Sequence, residues 1–141
     1  MGVEEEAREA HESAQETAKD LVDKTHQAAH FKLYLLLAEQ AGDFERREGQ
    51  ALRARAAYIT AAPYAEVLAR QVGGENAWAG YISLLVKASW VPADDLEAAE
   101  LLQIALAACG DFAAACPESR VAKTMETDIL SRLATMGFDA P

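Results

Sequence analysis

Apolar residues recur at helical spacing along almost the whole chain. Ala7, Ala14, Leu21, Ala28 and Leu35 stand seven residues apart, and Ala10, Thr17, Phe31 and Ala38 fill most of the positions three further on, with Lys24 interrupting that second row. Such a pattern puts one apolar stripe on an α-helix. It predicts a long first helix over 4–41. Glu4 with Arg8 and Asp20 with Lys24, four residues apart, support it as exposed i,i+4 pairs. The stripe is thin in its first half, because alanine offers little area to bury. Residues 1–15 are therefore expected to fray, or to be fixed by a partner or a second copy.

Gly42 can end that helix and Asp43 can cap the next. Phe44, Ala51, Leu52, Tyr58, Ile59, Ala62, Ala65, Leu68, Ala69 and Val72 then predict a second helix over 44–72. Pro63 falls inside it. Proline removes a backbone donor and crowds the preceding turn, so a kink or break is expected at 61–63. Gly73-Gly74 ends the element. Asn76 caps a third helix over 77–90, whose apolar positions are Trp78, Tyr81, Ile82, Leu85 and Val86. After Val91-Pro92, Asp94 with Glu97 reads as a capping box for a fourth helix over 95–109. Gly110 closes that one, and Pro117 suits the first turn of a fifth, which runs to Met136 before Gly137. No stretch alternates apolar with polar over a strand's length. The pattern thus gives a single all-α domain over 1–141, with about five antiparallel helices joined by short turns. These would form a helical-hairpin repeat or an irregular bundle with a long N-terminal helix.

Composition narrows the functional classes. The chain has 141 residues, 51% of them hydrophobic, and 13 Lys and Arg against 23 Asp and Glu give a formal charge of −10. That size supports a core without metals or disulfides. The acidity disfavours nucleic acid and anionic membrane, and no basic stripe with interleaved aromatics is present. The apolar run over 31–38 is too short for a membrane span and contains Lys32, and the start Met-Gly-Val-Glu-Glu-Glu lacks the charge of a secretory signal. The expected location is the cytoplasm. There, Cys109 and Cys116 read as small, partly buried apolar side chains rather than as a disulfide, a redox pair or a zinc site.

The segment Leu33-Tyr-Leu-Leu-Leu-Ala-Glu-Gln-Ala-Gly-Asp-Phe aligns without gaps on Leu101-Leu-Gln-Ile-Ala-Leu-Ala-Ala-Cys-Gly-Asp-Phe. Internal similarity is a mark of stacked helical hairpins. Trp78, Tyr81 and Leu85, followed by Ala98, Leu102 and Ala105, make 76–110 resemble a tetratricopeptide-type hairpin. Gly42-Asp43-Phe44 is similar to that family's turn into a second helix. The segment departs from the family in three places: Ile82 replaces a small residue, the turn is longer, and Gly110 stands where proline is usual. The resemblance implies an α-hairpin module of the kind that binds peptides or partner helices.

Residues with catalytic or metal-binding chemistry are few and do not form complete motifs. His26 and His30 are four apart, a spacing that lets two imidazoles reach one ion, but no further pair completes the set. His11 is about 22 Å away along a straight helix. Ser83, Ser89, Ser119 and Ser131 lack a glycine-flanked elbow, and Gly73-Gly74 lacks the lysine of a phosphate loop. No cofactor is implied, and nothing in the sequence points to catalysis.

The aromatic residues carry the remaining hypothesis. Tyr58, Tyr64, Trp78, Tyr81 and Trp90 are either core or the anchors of a helix-lined groove, since Trp and Tyr dominate interface hot spots. Trp90, off the main stripe, is the best anchor. The reading adopted is a non-enzymatic module, adaptor or scaffold, binding a peptide or partner helix, with basic partners favoured by the acidic surface. Its alternatives are a self-assembling homo-oligomer paired through the N-terminal helix, and a helical-bundle metal or small-ligand protein using His26 and His30.

Overall fold

The computed structural model of the chain describes residues 2–138, which are all-α and form six helices joined by short turns. These are α1 (Val3–Thr25), α2 (Ala28–Arg47), α3 (Ala51–Gln71), α4 (Glu75–Trp90), α5 (Asp95–Ala115) and α6 (Arg120–Thr135).

The sixth helix arises because the expected long first helix is two. Its break falls at His26, whose backbone is left-handed at φ 52°. No glycine or proline marks this place, so the stripe alone could not locate it. The break also rotates the buried face. The half of the expected helix before it turns Ala18 and Val22 inward, while Leu21 of the expected stripe is left exposed.

The next two boundaries differ for related reasons. Gly42 and Asp43 lie inside α2, which runs on to Arg47 and turns at Gly49, where φ is 75°. Gly42 serves packing instead of termination, since a methyl group there would overlap the ring of Tyr58 on α3. Helix α3 continues through Pro63 without a break. Helix α5 likewise continues past Gly110 to Ala115, and α4 begins at Glu75 after Gly74 rather than at an Asn76 cap. Pro117 lies before α6 rather than in its first turn, and the caps of α5 and α6 are Asp94, as expected, and Ser119. Asp94 accepts a hydrogen bond from the Glu97 amide, and Ser119 accepts one from the Ala122 amide. Gly137, with φ 85°, follows the end of α6.

Each helix packs on the next in sequence. Arg8 near the start of α1 meets Glu45 near the end of α2, and Trp78 at the start of α4 stacks on Phe112 near the end of α5, so these neighbours run antiparallel. The shared core is built from Val22, Tyr58, Ile82, Leu102, Phe112 and Leu133, with many alanines letting helices approach closely. Polar side chains tie every second helix. Tyr64 of α3 donates to Asp23 of α1, Arg55 and Arg70 of α3 reach Glu97 and Asp111 of α5, Lys87 of α4 reaches Asp43 of α2, and Arg132 of α6 reaches Ser89 of α4. Odd helices are thereby linked to odd and even to even.

Helix α5 is long and apolar enough by composition to cross a membrane, a feature hidden when the helix is ended at 109. Here it lies between α4 and α6 and buries Ala98, Ala99, Leu102, Ala105, Ala108, Cys109 and Phe112.

Candidate functional site

A groove of about 660 Å³ lies between α2 and α4. Helix α2 contributes Lys32, Leu35, Leu36 and Glu39 to one wall, and α4 contributes Ala77, Gly80, Tyr81 and Leu84 to the other. Ala65 and Leu68 of α3 form its buried floor, while Val72 and the Gly73-Gly74 turn close one end. Two of these apolar side chains are well exposed, Leu36 at 53% and Val72 at 56%. Gly80 adds depth, because a methyl group built on it would meet no atom within 4 Å. Lys32, Glu39 and Glu75 give the groove a polar edge. Such an apolar concavity with few polar groups is the usual form of a binding site.

A smaller cavity of about 280 Å³ lies one pair of helices further on, between α4 and α6, and includes Val86, Trp90, Leu102, Met125, Ile129 and Arg132. Arg132 donates from its two terminal nitrogens to the Ser89 hydroxyl at 2.6 Å and the Ser89 carbonyl at 2.8 Å. Burial lowers its pKa.

Between the two cavities stands a charged knot. Lys87 Nζ lies 3.0 Å from each Asp43 carboxylate oxygen and 3.5 Å from Glu39, and the Tyr58 hydroxyl donates to Asp43 at 2.5 Å. Burial pushes the Asp43 carboxyl upward, but the Tyr58 and Lys87 hydrogen bonds outweigh it and hold the pKa below the ordinary value. The same contact, after burial, raises the Tyr58 hydroxyl.

The five aromatic residues are not brought together. Tyr58 and Trp78 are core, at 0% and 4% exposure. Tyr64 packs edge-on against Tyr34 and belongs to the joint between α1, α2 and α3. Tyr81, 6% exposed, shows one edge to the larger groove. Trp90 is 45% exposed and borders the smaller cavity, with the Arg46 guanidinium 4.5 Å from its ring centroid. His26 caps α1 through its backbone, and His30 Nδ1 is hydrogen-bonded to the Thr25 hydroxyl at 2.5 Å. Among the described residues no three His, Cys, Asp or Glu side chains cluster around a common point.

Of the residues that line the groove, only Tyr81 is among the anchors expected from sequence. A signal for the rest was present: Leu33, Leu35, Leu36 and Leu37 make α2 apolar over more of its circumference than one buried stripe needs. Gly80 in mid-helix was a second sign, since glycine there has a conformational cost unless space or packing calls for it.

No protein-family model, curated protein or solved structure matches this chain.

Proposed function

We propose that this protein is a non-enzymatic interaction module whose α2–α4 groove receives a peptide or partner helix. The observation that carries the reading is the groove itself: a 660 Å³ apolar channel with exposed Leu36 and Val72 on its walls and an open trough at Gly80. Exposed apolar surface in a concave, polar-edged setting favours a partner whose own apolar side chains fill it. The helices are read as three stacked hairpins, α1–α2, α3–α4 and α5–α6. The side-chain links between every second helix, made by residues 41 to 44 positions apart, support that reading. Stacked hairpins suit extended binding surfaces, and the likeness to tetratricopeptide modules is proposed at that level. Partners with basic flanks are favoured by the net charge of −10 and by Glu39 and Glu75, against Lys32 alone, at the groove's edge.

The test is a selection from a displayed random peptide library, followed by titration of the selected peptides against Gly80→Trp. The indole fills the trough without entering the core. Affinity is expected to fall at least about tenfold, the size of one lost apolar anchor, with helical content unchanged by circular dichroism. Selected peptides that bind Gly80→Trp as tightly as the parent would overturn the assignment.

A further inference from the structure

We propose that α1 exchanges between two copies of this chain, swinging on His26-Gln27 so that each copy's α1 occupies the other's seat.

Three observations converge on this hinge. The first is backbone conformation. His26 is the one described non-glycine residue with positive φ, at 52°, a region that side chains with a Cβ disfavour. The chain doubles back there across only His26 and Gln27. The second is what straightening would gain. Residues 3–41 contain neither glycine nor proline, so nothing in their chemistry requires a break. Gln27 gives α2 no side-chain cap, and its own amide reaches only the Thr25 hydroxyl, at 3.3 Å. One continuous helix would supply carbonyl partners for the amides of Ala28 and Ala29, since those of His30 and Phe31 already bond the Gln27 carbonyl. His26 would relax to right-handed geometry.

The third is the character of the α1 seat. Only Ala18 and Val22 of α1 are buried. The rest of its inward stripe is polar or small, with Arg8 on Glu45 and His11 against Phe44 at a centroid distance of 5.0 Å. The helix can therefore leave with little apolar area lost on its own side. It would, however, leave the buried Glu45 carboxylate without Arg8 and the Phe44 ring without His11, so an open monomer is disfavoured. A second copy's α1 restores every one of those contacts, the Arg8–Glu45 ion pair included. Short hinges under backbone strain are where such exchange occurs.

The experiment compares the parent hinge with His26→Gly and His26→Leu, each refolded at high protein concentration and sized by chromatography with light scattering. Glycine removes the left-handed penalty in the closed form, and leucine retains it while favouring the straight helix. The dimerisation constant is expected to drop about tenfold or more for His26→Gly, and to stay at or above the parent's for His26→Leu. The dimer is then read by chemistry. In chains carrying Cys109→Ser and Cys116→Ser, His11→Cys and Phe44→Cys are joined by a short bismaleimide. Cross-links in the dimer peak are expected to join two chains. Cross-links confined to one chain, or a dimer fraction indifferent to the residue at 26, would overturn the proposal.

Discussion

Lys87 of α4 reaches past α3 to Asp43 of α2, with its Nζ 3.0 Å from each carboxylate oxygen. Tyr58 of α3 donates to the same carboxylate, so one acid ties three helices beside the proposed groove. This knot fastens α2 to α4 across α3.

Its pH dependence follows in sign. The folded pKa of Asp43 is depressed, so its contribution is present above the ordinary carboxylate value of about 3.9 and is lost as pH falls through the lower folded pKa. Asp43→Asn is expected to cost on the order of 1 kcal/mol at neutral pH and to flatten the loss of stability below about pH 4. Urea melts at pH 7 and pH 3 check this. An acid dependence equal to the parent's would show that Asp43 does not act this way.

The helical glycines should respond with opposite signs. Alanine is ordinarily favoured over glycine within a helix by about 0.5–1 kcal/mol. Gly110 has open space around an added methyl, so Gly110→Ala should stabilise by that amount. Gly42→Ala drives a methyl into the Tyr58 ring and should destabilise by about 1–3 kcal/mol. Thermal melts of the two variants decide it, and a gain for both would mean that α2 and α3 pack less closely than described.

The two thiols should differ in reactivity. Cys109 is fully buried, and desolvation raises its pKa to about 11, whereas Cys116 is half-buried at the end of α5. With a thiol-reactive dye at pH 8, Cys116 should label first. Cys109 should follow at a rate set by opening of the fold. Equal rates would contradict the packing around α5.

Sequence carried the all-α character well, because helical periodicity and the absence of alternation are averaged over many residues. The Asp94–Glu97 start was legible for a local reason: a cap acts within one turn. Boundaries set by tertiary contact were not legible. Gly42 reads as a terminator until Tyr58 is seen against it, and the break at His26 carries no breaker residue at all. The candidate site was harder still. Trp78 and Tyr58 have the chemistry of anchors, and only the packing of α3, α4 and α5 shows that they are interior. Leu36 and Gly80 gave weaker signals, yet they border the open space.

The account rests on occupancy of the α2–α4 groove, and backbone amide shifts in an NMR titration with a selected peptide address it most directly. Saturable shifts are expected to concentrate at Leu36, Glu39, Gly80, Leu84 and the Gly73-Gly74 turn. Shifts centred on α1 or on the outer face of α5, with those residues unmoved, would contradict it.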